Sequence, residues 1–191
     1  VQIEAKANLT DLEFAIGKLG IYKNAGDKTS LEVNNSASID GALNPISIKI
    51  YGDNNFKIIG NVNITPEKTN ISLTKIQSND TSARADIDVM PHNIKVKLRG
   101  LSLDLSRSDM MQFLTKNIDN TASNLDIKLD KIKLKNDIDL TNFIMNIQCD
   151  KLRCNKGNMY SQIGTRSFVM NLTSKDDYEL WKVTTDNAGA I

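Results

Sequence analysis

The stretch Asn93-Ile-Lys-Val-Lys-Leu-Arg-Gly-Leu-Ser-Leu-Asp-Leu-Ser106 decides the fold class. In its first half apolar residues alternate with basic ones, the pattern of a β-strand with one apolar face and one solvated face. The apolar positions are Ile94, Val96 and Leu98. Gly100 interrupts the pattern, which resumes with its phase shifted by one residue at Leu101, Leu103 and Leu105. A glycine at such a phase shift predicts a bulge or bend inside one long strand.

Two segments carry helix signals. The clearer one follows the strand directly, at Ser106-Arg-Ser-Asp-Met-Met-Gln-Phe-Leu, and predicts a short helix near Ser108–Lys116. The other has apolar residues at helical spacing after Thr10, a residue suited to a helix N-cap, but Gly17 and Gly20 weaken it. We predict a short helix or a turn at residues 10–15, followed by an extended piece through Tyr22.

The rest of the chain repeats the strand half of this unit. Alternating apolar segments are separated by turn signals about every 10–12 residues, the spacing of an antiparallel meander. The sequence therefore predicts a mainly β protein: a long antiparallel curved sheet, a groove or half-barrel, of roughly a dozen strands with one or two short helices. We interpret residues 1–191 as a single β-rich module, with sub-segments 1–116 and 117–191.

A sheet of this size with one apolar face must cover that face. One helix of about three turns is too short to do so. The sheet can curl on itself, pack against a second sheet, or leave a groove for an apolar ligand.

Composition limits the classes of function. The chain has 24 basic and 23 acidic residues, interleaved along the strands, whereas a nucleic-acid surface needs a segregated basic stripe. No apolar run approaches the ~18 residues that span a bilayer. Val1 opens directly into an alternating segment and the chain stops at the apolar Ile191, so we expect a piece excised from a longer, repetitive protein.

Catalytic constellations are weak in this sequence. The one histidine, His92, lies in a turn beside Pro91 without a Ser or Cys motif nearby. Asp86 and Asp88 share one face of a strand, as other carboxylates of the chain do, and a solvated sheet face explains them all. Phosphate loops, dinucleotide fingerprints and EF-hand spacings are absent from the sequence. We therefore predict a non-enzymatic protein without a cofactor or a metal.

The two cysteines, Cys149 and Cys154, are five positions apart. If Phe143 to Cys154 is one strand, their side chains point to opposite faces, which disfavours a bridge between them. The spacing does not fit a zinc site either. The prediction is two isolated thiols on a sheet.

Three stretches together resemble segments of the AsmA/YhdP-like proteins of Gram-negative bacteria. The first is Asn8-Leu-Thr-Asp-Leu, followed by Leu19-Gly-Ile-Tyr-Lys and Gly26. The second is Arg99-Gly-Leu-Ser-Leu-Asp-Leu-Ser106, and the third is Tyr178-Glu-Leu-Trp-Lys-Val-Thr-Thr-Asp-Asn-Ala-Gly-Ala-Ile191. In this order the three stretches extend over nearly the whole chain.

The resemblance implies a periplasmic part of a protein anchored in the inner membrane, related to bridge-like lipid-transfer proteins. It implies contact with phospholipid acyl chains and with adjacent repeats of the same chain, no nucleic acid, and a role in moving phospholipid towards the outer membrane. The family has no catalytic residues to carry over.

The resemblance also changes how the apolar face is interpreted. Alternating aliphatic residues usually form a closed core, and from the residues alone that interpretation is favoured. With the resemblance we expect a groove instead, because an aliphatic, aromatic-poor lining suits flexible acyl chains. The expected lining residues are Ile94, Val96, Leu98, Leu125, Ile127 and Leu129. The alternative is a structural or interaction domain whose apolar face packs on neighbouring repeats or a partner protein without carrying lipid.

Overall fold

The computed structural model describes residues 2–16, 21–36, 44–107, 121–150, 153–175 and 178–186. The fold is mainly β and consists of a twelve-stranded curved sheet and a separate two-stranded hairpin. The strands are β1 (Gln2–Asn8), β2 (Phe14–Ile16), β3 (Ile21–Lys23), β4 (Thr29–Ser36), β5 (Ile46–Gly52), β6 (Lys57–Ile64), β7 (Thr69–Ser78), β8 (Thr81–Met90), β9 (Asn93–Asp104), β10 (Ala122–Lys133), β11 (Asp139–Cys149), β12 (Cys154–Ile163), β13 (Arg166–Lys175) and β14 (Tyr178–Thr185).

Strand order in the large sheet follows chain order. It runs β1-β4-β5 and then consecutively to β14, with β2 and β3 set aside as the hairpin. β1 and β14 do not pair with each other, so the sheet is curved but not closed into a barrel. The predicted long curved sheet is confirmed.

One pair of neighbouring strands departs from the antiparallel meander. β9 and β10 are parallel, with Val96 beside Leu125 and Leu98 beside Ile127. Parallel neighbours require a crossover of a dozen or more residues, and the connection between these strands has that length. The helix predicted near Ser108–Lys116 falls on this connection, outside the described residues.

The two glycines inside β6 and β9 mark irregular pairing. The β8–β9 register shifts between Ser82 and Ala83, opposite Gly100, so the bulge predicted there is confirmed. Beyond it Leu103 is buried, but Leu101 is 64% exposed and does not rejoin the apolar face as the resumed alternation predicted. A second shift, between Ile59 and Gly60, interrupts the β6–β7 pairing.

At the N-terminal end of the chain, the turn alternative is correct and the helix alternative is wrong. Thr10 and Asp11 form a turn, and the chain is extended again in β2. The Asn8 side chain accepts hydrogen bonds from the backbone N–H and hydroxyl of Thr10, at 2.9 and 2.6 Å. Local side-chain bonding of this kind competes with helix formation.

The cysteine prediction is wrong. Cys149 and Cys154 form a disulfide, because the chain does not continue as one strand from Phe143 to Cys154. β11 ends at Cys149 and the antiparallel β12 begins at Cys154, so the two cysteines lie opposite each other on adjacent strands. A register shift next to Cys149 turns both side chains to the same face.

Removing the disulfide should lower stability moderately. Closing a loop this short restricts the unfolded chain by about 2 kcal/mol in the chain-entropy model. We expect the double variant C149S/C154S to unfold at lower urea concentration by that free energy, with an unchanged m-value. Equilibrium unfolding monitored by circular dichroism checks this. Equal midpoints for the variant and the parent chain would show that the disulfide does not contribute to the free energy of unfolding.

Candidate functional site

The apolar face of the large sheet is organised in rows. Residues paired in register on adjacent strands point to the same side, so their side chains line up across the sheet. The central row crosses all twelve strands: Ala5, Val33, Ile48, Gly60, Leu73, Ala85, Leu98, Ile127, Met145, Met159, Met170 and Val183.

Three further rows flank the central row. The upper row crosses ten strands: Ile46, Val62, Ile71, Ile87, Val96, Leu125, Ile147, Gly157, Leu172 and Trp181. Beyond it lies the margin row: Ile64, Thr69, Val89, Ile94, Ser123, Cys149 and Cys154. The lower row lies on the other side: Ala7, Leu31, Ile50, Ile58, Ile76, Ala83, Gly100, Leu129 and Phe143.

Exposure of this face is graded. On the margin row Ile64 is 64% exposed and Val89 is 38% exposed, whereas Ser123 and Cys154 at its other end are buried. The upper row is mostly half-buried, with Ile147 and Leu172 as its buried members. The central row is buried from β8 to β12, and the lower row is buried from β6 to β11 apart from the half-buried Gly100. The apolar face is therefore a packed core along one side and an accessible surface along the other.

The hairpin β2–β3 covers the lower side of the face near β6 and β7. Ile21 in β3 is fully buried, and β3 contacts β7. The ring of Phe14 in β2 meets the ring of Phe56 edge-on, with centroids 5.8 Å apart. Within the described residues the hairpin therefore covers the lower side of the face beside β6 and β7.

A buried lysine fixes the hairpin. The Lys23 side chain is 3% exposed, and its ammonium donates hydrogen bonds to the carbonyl oxygens of Thr10, Leu12 and Asn24 at 3.1, 2.6 and 2.9 Å. An ammonium has three donors, so these bonds use all of them. Lys23 therefore anchors the loop between β1 and β2, with no proton left over for a ligand.

The six predicted lining residues lie on one face of the adjacent strands β9 and β10, but at two depths. Ile94, Val96 and Leu125 belong to the margin and upper rows and are half-buried. The other three, Leu98, Ile127 and Leu129, are only 1–2% exposed in the central and lower rows. Accessible lining at these positions is therefore confined to Ile94, Val96 and Leu125.

Sequence reasoning missed the remaining members of the accessible rows. Val62, Ile71 and Ile87 extend the upper row away from Val96, and Trp181 ends it on β14. Their alternation marks each of them as apolar-facing. Which of them share a row depends on strand register, and register is set by pairing across the sheet.

The opposite, polar face carries the candidate carboxylates. Asp86 lies opposite Lys97, and Asp88 lies opposite Lys95. Asp88 also accepts hydrogen bonds from Asn70 and from Lys68, at 3.0 and 3.1 Å. These two hydrogen bonds hold the pKa of Asp88 below its ordinary value, and the bond from Asn70 contributes most. The two carboxylates belong to a ladder of cross-strand charges, which is how a solvated sheet face is built.

His92 is exposed in the turn between β8 and β9, as the sequence predicted. Its carbonyl oxygen accepts a hydrogen bond from Ala122 N–H at 3.2 Å and so helps to start the β9–β10 pair.

Over the described ranges, no three His, Cys, Asp or Glu side chains are gathered where a metal ion would fit. Within the same ranges, no helix has the length and apolarity needed to span a bilayer.

Comparison of the chain with protein-family models, with curated proteins and with solved structures gives no match.

Proposed function

We propose that the chain is a non-enzymatic hydrophobic-groove module that takes part in phospholipid transport between the inner and outer membranes and in envelope maintenance. In this proposal it forms a periplasmic part of an inner-membrane-anchored protein of the AsmA/YhdP-like kind. The observation that carries the proposal is the upper row, a largely half-buried line of aliphatic side chains beside a margin row that is exposed at Ile64 and Val89.

The dimensions of the upper row suit acyl chains. The continuous half-buried part of the upper row crosses the six strands from β5 to β10, which at ~4.8 Å spacing extends over roughly 24 Å. One leaflet of a bilayer is about 15 Å of hydrocarbon, half of the ~30 Å core. The row is therefore long enough for an acyl chain to move from strand to strand while it stays on apolar surface.

The chemistry of the accessible rows suits lipid as well. Their larger side chains are Ile, Val and Leu with a single Trp. Hydrophobic contact with such side chains is non-directional, so a flexible acyl chain can bind in many conformations. The margin row is exposed at Ile64 and Val89, so a polar headgroup beside these residues can stay in water while the acyl chain lies on the upper row. The Cys149–Cys154 disulfide supports an oxidising compartment, and the periplasm is one.

The second candidate is a structural or interaction domain whose apolar face packs on neighbouring repeats or a partner without carrying lipid. The burial of Leu98, Ile127 and Met145 to 1–2% exposure favours it for the central row, where a ligand has no access. The two candidates therefore differ over the upper and margin rows.

The test of the proposal is lipid carried by the purified chain. Native mass spectrometry should show bound phospholipid, and a delipidated sample should take up phospholipid from vesicles. We expect Val96→Asp to lose this lipid, because it places a carboxylate in the upper row. The fold should survive with a loss of about 1–3 kcal/mol, since the half-buried carboxylate still reaches water.

Asn158→Asp is the matched control. It adds the same charge on the exposed polar face of β12, where its cross-strand partners are the uncharged Asn146 and Asn171, and it should leave both lipid and stability unchanged. If the parent chain neither co-purifies with phospholipid nor takes it up, the groove proposal is wrong and the packing candidate stands.

A further inference from the structure

The polar face of the large sheet contains one row in which cross-strand charge pairing fails. We call it the outer row, and strand register places in it one residue from each of the twelve strands: Lys6, Glu32, Lys49, Ile59, Lys75, Arg84, Arg99, Lys128, Ile144, Tyr160, Val169 and Thr184. Six of these residues are basic and one is acidic. Charges of both signs are interleaved along the strands, so this positive stripe is visible only across them.

The basic half of the outer row consists of its four residues on β7 to β10: Lys75, Arg84, Arg99 and Lys128. Arg99 lies directly opposite Arg84 on one side and Lys128 on the other. A register shift in the β7–β8 pair sets Lys75 against Arg84. Like charges directly opposite each other destabilise a sheet. Among the described residues only Arg99 of these four has an ion pair, with Asp126, and the other three side chains are exposed.

The rows on either side of the basic half are built differently. On β8 to β10 the residues Asp86, Lys97 and Asp126 form a row that alternates in sign, so each charge faces an opposite one. On the other side Asp130 on β10 is the one carboxylate, and the adjacent positions of β7 to β9 are uncharged: Gln77, Ser82, Leu101 and Ser102. The excess of positive charge is therefore confined to the outer row, where an anionic partner would supply the missing counter-charge.

The apolar half of the outer row follows directly on β11 to β13. It consists of Ile144, Tyr160 and Val169, and Ile144 lies opposite Lys128. Ile144 is 39% exposed and Tyr160 is 36% exposed, on the face of the sheet that is polar elsewhere. The row beside it on the same strands is a run of asparagines: Asn146, Asn158 and Asn171. The outer row therefore joins unpaired positive charge to accessible apolar surface.

We propose that the outer row binds the surface of an anionic phospholipid bilayer. Its basic half faces the headgroup phosphates, because basic side chains are attracted to an anionic leaflet. Its apolar half lies at the boundary with the acyl region, where the ring of Tyr160 finds apolar surroundings and its hydroxyl stays in water.

The apolar half decides between a bilayer and other anionic partners. A nucleic acid carries phosphate along its whole length and would leave the apolar half uncovered. A bilayer offers negative charge and apolar surface side by side. The outer row lies on the opposite face of the sheet from the upper row, so the inference does not depend on whether the apolar face carries lipid.

Co-sedimentation with vesicles tests the proposal. The purified chain should bind vesicles of phosphatidylglycerol mixed with phosphatidylcholine, and it should bind vesicles of phosphatidylcholine alone much more weakly. Lys128→Glu should weaken binding roughly tenfold or more, since each basic residue near an anionic surface contributes about fivefold and the exchange also adds a negative charge. The variant should be as stable as the parent chain or slightly more stable, because it places a carboxylate opposite Arg99.

Lys156→Glu provides the comparison. It makes the same exchange on the exposed polar face of β12, outside the outer row and between the uncharged Gln148 and Thr173, and it should leave vesicle binding nearly unchanged. Val96→Asp, which changes the opposite face, should also leave it unchanged. Tyr160→Ser should weaken binding severalfold without loss of charge.

Three results would overturn the proposal. The first is a chain that does not bind the anionic vesicles, even if a heparin column retains it, because the basic half would then serve a soluble polyanion. The second is an equal loss of binding in Lys128→Glu and Lys156→Glu, which would show that net charge and not the outer row is responsible. The third is vesicle binding that Tyr160→Ser leaves intact or that Val96→Asp abolishes, since the contact would then not use the apolar half.

Discussion

Ile127→Asp should leave the chain unfolded. Ile127 is 2% exposed and lies between Leu98 and Met145 in the central row, and each of those neighbours is 1% exposed. A carboxylate at this position would be buried and would have apolar side chains as its paired neighbours, with no cationic partner among them. An unpaired buried charge costs several kcal/mol, a large part of the ~5–15 kcal/mol that holds a domain folded. The measurement is circular dichroism with a thermal melt, and we expect no cooperative transition.

Lys128→Asp is the control for this experiment. Lys128 is the next residue of β10 and is exposed on the polar face. The same carboxylate there should change stability by less than about 1 kcal/mol, as is usual for exposed positions. A folded Ile127→Asp with a melting temperature near that of the parent chain would show that the central row is open to solvent, and the division of the face into a core and an accessible side would then be wrong.

Gly100→Ala is expected to be almost as damaging, although it adds only one methyl group. A Cβ at Gly100 would lie 2.4 Å from the Ser82 carbonyl oxygen and 2.6 Å from Ala83 Cα. Both atoms belong to the backbone of β8, so a side-chain rotation cannot relieve the overlap. The strands must separate at the bulge, and we expect a loss of about 3 kcal/mol or more, the upper range for overpacking. Urea unfolding measures it.

Gly157→Ala is the comparison for that substitution. There the atom nearest to an added Cβ is Ile147 Cγ1 at 3.1 Å, which lies on a side chain that can move. The loss should be about 1 kcal/mol, the lower end for overpacking, because a shift of a few tenths of an ångström relieves these contacts. Equal losses at Gly100 and Gly157 would show that backbone proximity at the bulge is not what requires glycine.

Alternation in the sequence is a local property, and it predicts local results well. The period-two pattern at Ile94, Val96 and Leu98 identifies β9 and its apolar face, and the break at Gly100 identifies the bulge. The same pattern does not distinguish a parallel neighbour from an antiparallel one, because face alternation is identical in both. The parallel pairing of β9 with β10 was therefore not predictable from it.

The wrong prediction for the two cysteines has a different cause. The parity argument for Cys149 and Cys154 holds only within a continuous strand, and the turn between them contains neither glycine nor proline to announce it. The degree of burial of each apolar residue was also not predictable from the sequence. Val96 and Leu98 are neighbours in the same pattern, yet one is half-buried and the other is 1% exposed. Depth depends on which rows align across the sheet and on what lies over them, and both are tertiary properties.

The near-match of strand order to chain order has a consequence for how the chain folds. Almost every strand needs only the strand before it, so hairpins can be added one after another, as in repeat proteins, without long loop closures. There are two exceptions, the β1–β4 and β9–β10 junctions, because in each a long connection must close before the two strands meet. The β9–β10 junction lies in the middle of the sheet, so folding should pause at this junction. We expect β4 to β9 and β10 to β14 to form two cooperative units whose amide hydrogen-exchange rates fall into separate groups.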